Sequence, residues 1–167
     1  INDTSDLQAA INAAPNGGSL VIDGVCLLTS TITIADKTLV ISGQGKYSTP
    51  LIWTVSATSR GLVYAATTVD QTFALRDLQL VTQGTTSTGL ALSWPSAASL
   101  FHSQAQIDRV LVQGFNVGAD YWHTGITVTN GWDVHVASVD VRGMNGTYAA
   151  AYGYRVEGQS VGTTFDH

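Results

Sequence analysis

"GITVTNGWDVHVASVDVRG", residues 125–143, is almost free of charge and holds three bursts of alternating apolar residues. Each burst has the period of a short strand. Either the strands pair with one another as hairpins, or they form one turn of something that repeats. The rest of the chain decides between these. From Gly61 onward four segments share the pattern Gly–apolar–any–apolar: "GLVY" at 61, "GLAL" at 89, "GITV" at 125 and "GYRV" at 153. They start roughly 28, 36 and 28 positions apart, the spacing of repeat architectures. A second motif, apolar–any–any–apolar–any–apolar, runs in step with the first: "LRDLQL" at 75, "IDRVLV" at 107 and "VASVDV" at 136, with a further copy beginning at Phe165. "LVISG" at 39 reads as the tail of an earlier copy. The inserts "RD", "DR" and "AS" carry no hairpin signature such as Asn-Gly.

Two motifs recurring in one order at a common long period imply stacked coils. Each strand then pairs in parallel with its equivalent one coil away. The expected fold is all-β, a parallel β-helix. Leu62, Leu90, Ile126 and Tyr154 should form one inward column, and Tyr64, Leu92, Val128 and Val156 the next. Leu78, Val110 and Val139, with Leu80, Val112 and Val141, should form two more. Val63, Ala91, Thr127 and Arg155 should face outward.

The opening segment differs. "SDLQAAINAA" places Leu7, Ala10, Ile11 and Ala14 at helical spacing, with Ser5 and Gln8 matching a capping box and "PNGG" stopping the helix. A helix over 5–14 is expected to cover the first coil, with coils filling 19–167. The other end has no such cover, and the chain starts at Ile1, so a fragment of a longer protein is expected.

Composition narrows the partners. Lys and Arg total 7 against 12 Asp and Glu, a net charge of -5, and only 11% of residues are charged. This excludes a basic nucleic-acid surface and argues against an anionic membrane. No apolar run reaches the ~18 residues of a membrane span. Cys26 stands alone in an apolar run and reads as a small buried hydrophobe. No Cys/His spacing suggests zinc, no metal or cofactor is expected, and "GQG" at 43 ends a strand rather than opening a phosphate-binding helix.

The stretch Ser5–Gly45, through "DLQAAINAA", "NGG", "LVIDG", "LLTSTITI" and "LVISGQG", resembles the opening of the pectate-lyase-like, right-handed (single-stranded) parallel β-helix superfamily. It departs at "GVC", where the family often has an aromatic at the Cys26 position. Phage tailspikes and capsule or O-antigen depolymerases are similar in this opening, as are secreted pectinases. The Thr/Ser/Gly-rich, single-Cys, lysine-poor composition favours a tailspike. The resemblance implies a homotrimer on a virion that binds and cleaves a bacterial surface polysaccharide. The alternatives are a non-catalytic stalk or adhesin and a secreted, cell-encoded glycan-degrading enzyme.

Glycan hydrolysis needs two carboxyl groups flanking the bond. A lyase needs a base and a cation. By alternation Asp133, His135, Asp140, Arg142, Arg155 and Glu157 point outward. A shallow groove is expected along Thr127 and Arg155, rimmed by the loop Asp120–His123. In it Glu157 and Asp120 are the expected carboxyl pair and Arg155 the holder of an acidic sugar. Trp122 is the expected stacking face, with His123, Asp140 and Arg142 as further substrate contacts. The competing reading makes Asp140 and Arg142 a surface ion pair, His123 and His135 surface histidines, Trp122 a loop anchor and Trp132 a packing residue. The insert "WPSAASLFHSQ", holding Trp94, Leu100, Phe101 and His102, reads as a bulge or subunit contact.

Overall fold

The computed structural model describes residues 3–54, 60–96, 102–116, 118–143 and 152–166. Among these residues one helix, α1 (Thr4–Ala13), precedes fourteen strands. These are β1 (Gly18–Val21), β2 (Cys26–Leu28), β3 (Ile32–Ala35), β4 (Leu39–Ser42), β5 (Pro50–Trp53), β6 (Arg60–Ala65) and β7 (Phe73–Thr82). There follow β8 (Thr85–Ser93), β9 (Ala105–Gly114), β10 (Tyr121–Thr129), β11 (Val134–Ala137), β12 (Asp140–Val141), β13 (Tyr152–Glu157) and β14 (Thr164–Asp166). Every strand pairing among the described residues is parallel. A five-stranded sheet runs β3-β6-β8-β10-β13, and a nine-stranded sheet follows the path β1-β4-β7-β9-β11-β14 with β2, β5 and β12 beside it. Strands widely separated in sequence thus lie side by side, which hairpins cannot produce. The chain is a parallel β-solenoid.

The columns fall where the motifs place them. Ile32, Leu62, Leu90, Ile126 and Tyr154 are register partners, as are Ile34, Tyr64, Leu92, Val128 and Val156. Leu80, Val112 and Val141 stack in the other sheet. All but those of the last rungs are buried; Val156, on the last described rung, is 45% exposed. Aromatic rings tie the two sheets together. Tyr64 stacks on Phe73 with centroids 4.7 Å apart, and Trp53 meets Trp122 edge-on at 5.8 Å. Burial pushes the Tyr64 hydroxyl pKa well up, and its O–H donates to the Lys37 carbonyl.

The motif glycines have a steric cause. A Cβ on Gly61 would lie 2.9 Å from the Trp122 ring, one on Gly89 would lie 2.8 Å from Val112, and one on Gly125 would lie 2.4 Å from Val141. Each would also stand 2.6–2.8 Å from the carbonyl oxygen of the glycine one coil on. At Gly89 and Gly125 the chain approaches side chains of the opposite sheet, and at Gly61 the Trp122 ring of its own sheet, too closely for any side chain. The two-residue inserts have a backbone cause. Asp77, Arg109 and Ser138, the second residue of each, take left-handed φ values of 59°, 51° and 54°. One left-handed residue turns the strand through a corner while both flanking apolar residues stay inside.

Two expectations need correction. "LVISG" at 39 is the front of its copy, not the tail: Ile41 aligns with Leu75, and Leu51 on β5 aligns with Leu80. The segment from Gly43 to Thr49 interrupts that copy, which hid its second half. From it Lys46 Nζ reaches Asp140 Oδ2 at 2.9 Å and the Ser138 carbonyl at 3.0 Å. The capping box is also absent; the helix N-cap is Asp3 and makes no side-chain cap bond. Gln8 instead accepts from Thr33 N–H at 2.9 Å and donates to Thr33 C=O at 2.8 Å. Leu27 and Thr29 N–H donate to the side chains of Asp3 and Thr4, and Lys37 Nζ donates to the Ile11, Asn12 and Ala14 carbonyls. The side chains of Asp3, Thr4 and Gln8 thus satisfy backbone groups on the open edge of the first coil, which would otherwise template pairing with another chain. Leu7 and Ile11 bury beneath it. Cys26 is half-buried and free. Burial first, and then Asp3, raise its thiol pKa.

Candidate functional site

The outer face of the five-stranded sheet carries a groove of about 140 Å³. Val63, Ala91, Thr127 and Arg155 run down its middle, in the register that the motifs give. Ser93, Thr129 and Glu157 form a second column, and Arg60, Thr88 and Thr124 a third. Its lining is mostly hydroxyl and charged groups. Arg155 Nη2 pairs with Glu157 Oε1 at 2.5 Å, and its guanidinium lies 5.5 Å from the Tyr152 ring centroid. That ion pair fixes the two side chains at one end of the groove, while Arg60 stands on an earlier rung.

Arg60, Thr88 and Thr124 were not singled out from the sequence. Each immediately precedes a motif glycine, so extending the repeat alignment by one residue would have found the column.

The remaining expected residues distribute differently. Asp120 does not join Glu157. Glu157 pairs with Thr129 at the far end of β10, whereas Asp120 precedes that strand. At ~3.3 Å per residue the two lie about 25–30 Å apart, beyond any carboxyl-pair geometry. The Asp120 carboxylate instead accepts from Asn116 N–H at 2.8 Å and closes a local turn. Tyr121, Trp122 and His123 are strand residues, not a loop rim. Trp122 is no stacking face: it is 1% exposed, and its indole N–H donates to the Leu80 and Gln113 carbonyls. Alternation explains this, because Trp122 shares the inward side of β10 with Ile126 and Val128, which are buried as well. His123 is exposed and meets Tyr121 edge-on at 5.2 Å.

Asp140 and Arg142 pair at 3.7 Å, with Lys46 closer to the same carboxylate oxygen. They line a separate hollow of about 350 Å³ beside Tyr154. Trp94 is buried with its N–H on the Gln71 carbonyl. His102 is exposed, and Leu100 and Phe101 lie outside the described residues.

The other sheet holds a second cluster. His135 contacts Asp133 through Nε2 and Thr164 through Nδ1, beside an open groove of about 350 Å³. Asp133 and His135 were expected to face outward. Thr164 escaped notice because it precedes Phe165, the residue that marks its coil's motif. Among the described residues no three His, Cys, Asp or Glu side chains converge where they could hold a metal ion, and no helix is long and apolar enough to cross a membrane.

No protein-family model and no curated protein matches the chain. Two solved structures do. One is a protein from Parabacteroides merdae provisionally designated a glycosyl hydrolase. It is 13% identical with a TM-score of 0.50, and the match covers 99% of this chain and 89% of that one. The other is ORF18 of Geobacillus virus E2, 16% identical with a TM-score of 0.49, covering 99% of this chain. The likeness is one of fold. The chain spans 39% of the length of the viral protein.

Proposed function

We propose that the outer face of the five-stranded sheet binds an extended glycan, and that the chain is the β-solenoid of a phage tailspike directed at a bacterial surface polysaccharide. The observation that carries the binding reading is the hydroxyl-lined groove with Arg60, Arg155 and Glu157. Successive rungs repeat every ~4.8 Å, so one outward column offers donors and acceptors at regular intervals, as a polymer requires. Thr88, Thr124, Thr127 and Thr129 can each donate and accept. The two guanidiniums suit carboxylated or hydroxyl-rich sugars. Glu157 Oε1 is engaged by Arg155, which leaves Oε2 to accept from a sugar hydroxyl.

Among the described residues that line the groove, Glu157 is the one carboxyl. Hydrolysis by paired carboxyls needs a second, so this groove holds and orients the glycan. The tailspike assignment rests on the likeness of the opening segment and on composition, and it carries with it a homotrimer on a virion. A monomer in sedimentation analysis would favour a secreted, cell-encoded enzyme instead.

The test is calorimetric titration with oligosaccharides from the polysaccharide of a susceptible host. Arg155→Ala should weaken binding about tenfold or more, given ~1.5–3 kcal/mol for a hydrogen bond to a charged group. Thr127→Trp should block the groove. Unchanged affinity in both variants would remove the groove from the binding surface.

A further inference from the structure

We propose that Asp133, His135 and Thr164 form a carboxylate–imidazole–hydroxyl relay that cleaves small O-acyl esters at the outer face of the nine-stranded sheet. This is a different sheet and a different chemistry from the glycan groove. Three features bring the residues together. Val134 and Val136 are buried, so His135 between them faces outward. The parallel register of β11 and β14 makes Thr164 the direct partner of His135, one rung away on the same face. Asp133 takes a left-handed φ of 50°, and that turn lets its carboxylate return to the imidazole two residues on.

The geometry has the order of a charge-oriented nucleophile. Asp133 Oδ1 lies 3.1 Å from His135 Nε2, and His135 Nδ1 lies 2.8 Å from Thr164 Oγ1. A carboxylate can only accept, so Nε2 carries the proton and Nδ1 is left to accept from the threonine hydroxyl. The supports are fixed as well. Asp133 N–H donates to the Val161 carbonyl at 2.7 Å, and the Ser103 hydroxyl donates to the Asp133 carbonyl. Gly162, at φ 69°, packs beside Asp133 at ordinary contact distance. The Asp133 N–H bond to the Val161 carbonyl ties the start of the short Val161–Thr164 connection to the residue that orients the base. His135 and Asp133 are 45% and 43% exposed at their side chains, so an ester can reach them. Gln106 is the register partner of His135 on its other side and lines the adjoining groove. Its amide can donate to an ester carbonyl.

The step balances without a cofactor. Thr164 Oγ attacks the acyl carbon while His135 Nδ1 takes the hydroxyl proton. The C–O bond to the sugar breaks, and the leaving alkoxide takes that proton. Water then attacks the acyl-threonine, with His135 again as base, releasing the carboxylic acid and restoring Thr164. Asp133 is a positioning residue that holds the imidazole tautomer.

The probes are p-nitrophenyl acetate and a fluorophosphonate, neither of which needs the glycan groove, so their result is independent of the binding reading. The parent chain should hydrolyse the ester, and mass spectrometry should find the phosphonyl group on Thr164. His135→Gln should lower the rate about 10²-fold or more. Thr164→Val, which keeps the side-chain shape, should abolish labelling, and Thr164→Ser should retain it. Asp133→Asn should lower kcat with KM unchanged, and Asp133→Glu should recover part of the loss. Circular dichroism of each variant checks that it folds. A folded parent that neither hydrolyses the ester nor takes the label would overturn the proposal. Labelling that persists unchanged in His135→Gln would overturn it equally.

Discussion

Adding one methyl group at Gly125 should destabilise the solenoid, and adding one at Gly153, its equivalent one coil on, should not. A Cβ at 125 would lie 2.4 Å from Val141 Cγ1 and 2.6 Å from the Gly153 carbonyl oxygen. Carbon contacts are optimal near ~3.5–4.0 Å, so the valine methyl would have to retreat by roughly 1 Å. Rotating Val141 offers little relief, because its other methyl would already stand 3.0 Å away. The carbonyl belongs to the backbone of the next strand, which the parallel ladder holds in place. Overpacking of this kind costs about 1–3 kcal/mol. In a chain of this size each kcal/mol moves Tm by about 2–4 °C, so Gly125→Ala should melt about 2–12 °C below the parent. At Gly153 the nearest atom to a new Cβ is 4.0 Å away. Alanine there should leave Tm unchanged or raise it slightly, since it restricts the unfolded chain by about 0.4–1 kcal/mol. Thermal unfolding followed by far-ultraviolet circular dichroism compares the two directly. If they melt together, close approach is not what the glycine column serves.

Two further outcomes follow from the edges and corners of the coil. Gln8→Ala frees both backbone groups of Thr33 that Gln8 now satisfies, and should cost about 1 kcal/mol. Amide exchange should speed up at Thr33 but not at Thr29, whose N–H is held by Thr4; equal acceleration at both would argue against a local clamp. At Asp77 the hydrogen bonds from Arg109 hold the carboxyl below its ordinary range, against an opposing effect of burial, with the charges of Arg109 and Arg76 adding to the lowering. A depressed carboxyl stabilises the fold above its unfolded pKa of ~3.9 and loses that contribution as pH falls through its lower folded value. Asp77→Asn keeps a residue that tolerates the left-handed φ but removes the charge. Its stability deficit, measured by urea unfolding, should be present near about pH 6 and shrink near about pH 2.5. A deficit independent of pH would assign the effect to the backbone instead.

The columns of the solenoid were legible because a parallel coil forces identical register on every rung. A repeated Gly–apolar–any–apolar segment therefore gives Leu62, Leu90 and Ile126 the same neighbours whatever the loops between them do. The outward face followed from the same alternation, which is why the groove at Thr127 and Arg155 lies where the sequence places it. Loops obey no such constraint. Asp120 to His123 read as a polar rim because acid, aromatic and imidazole types cluster there. The strand in fact begins at Tyr121, and alternation within it sends Trp122 inward beneath the glycines of earlier coils. The clue was the run of glycines itself: Gly61 and Gly89 leave a volume that a large ring from a neighbouring strand must fill, and Trp122 fills it. Gln8 misled for a related reason. Three residues after a serine it matches a helix cap, but the unpaired edge of β3 offers a donor and an acceptor at once, and one amide satisfies both. The relay of Asp133, His135 and Thr164 lies between these cases. Its two outward members follow from period, and the third follows only once the coil above is set in register. In a solenoid, chemistry assembled across rungs becomes legible when the repeat is aligned column by column, and residues picked by local clustering alone go astray.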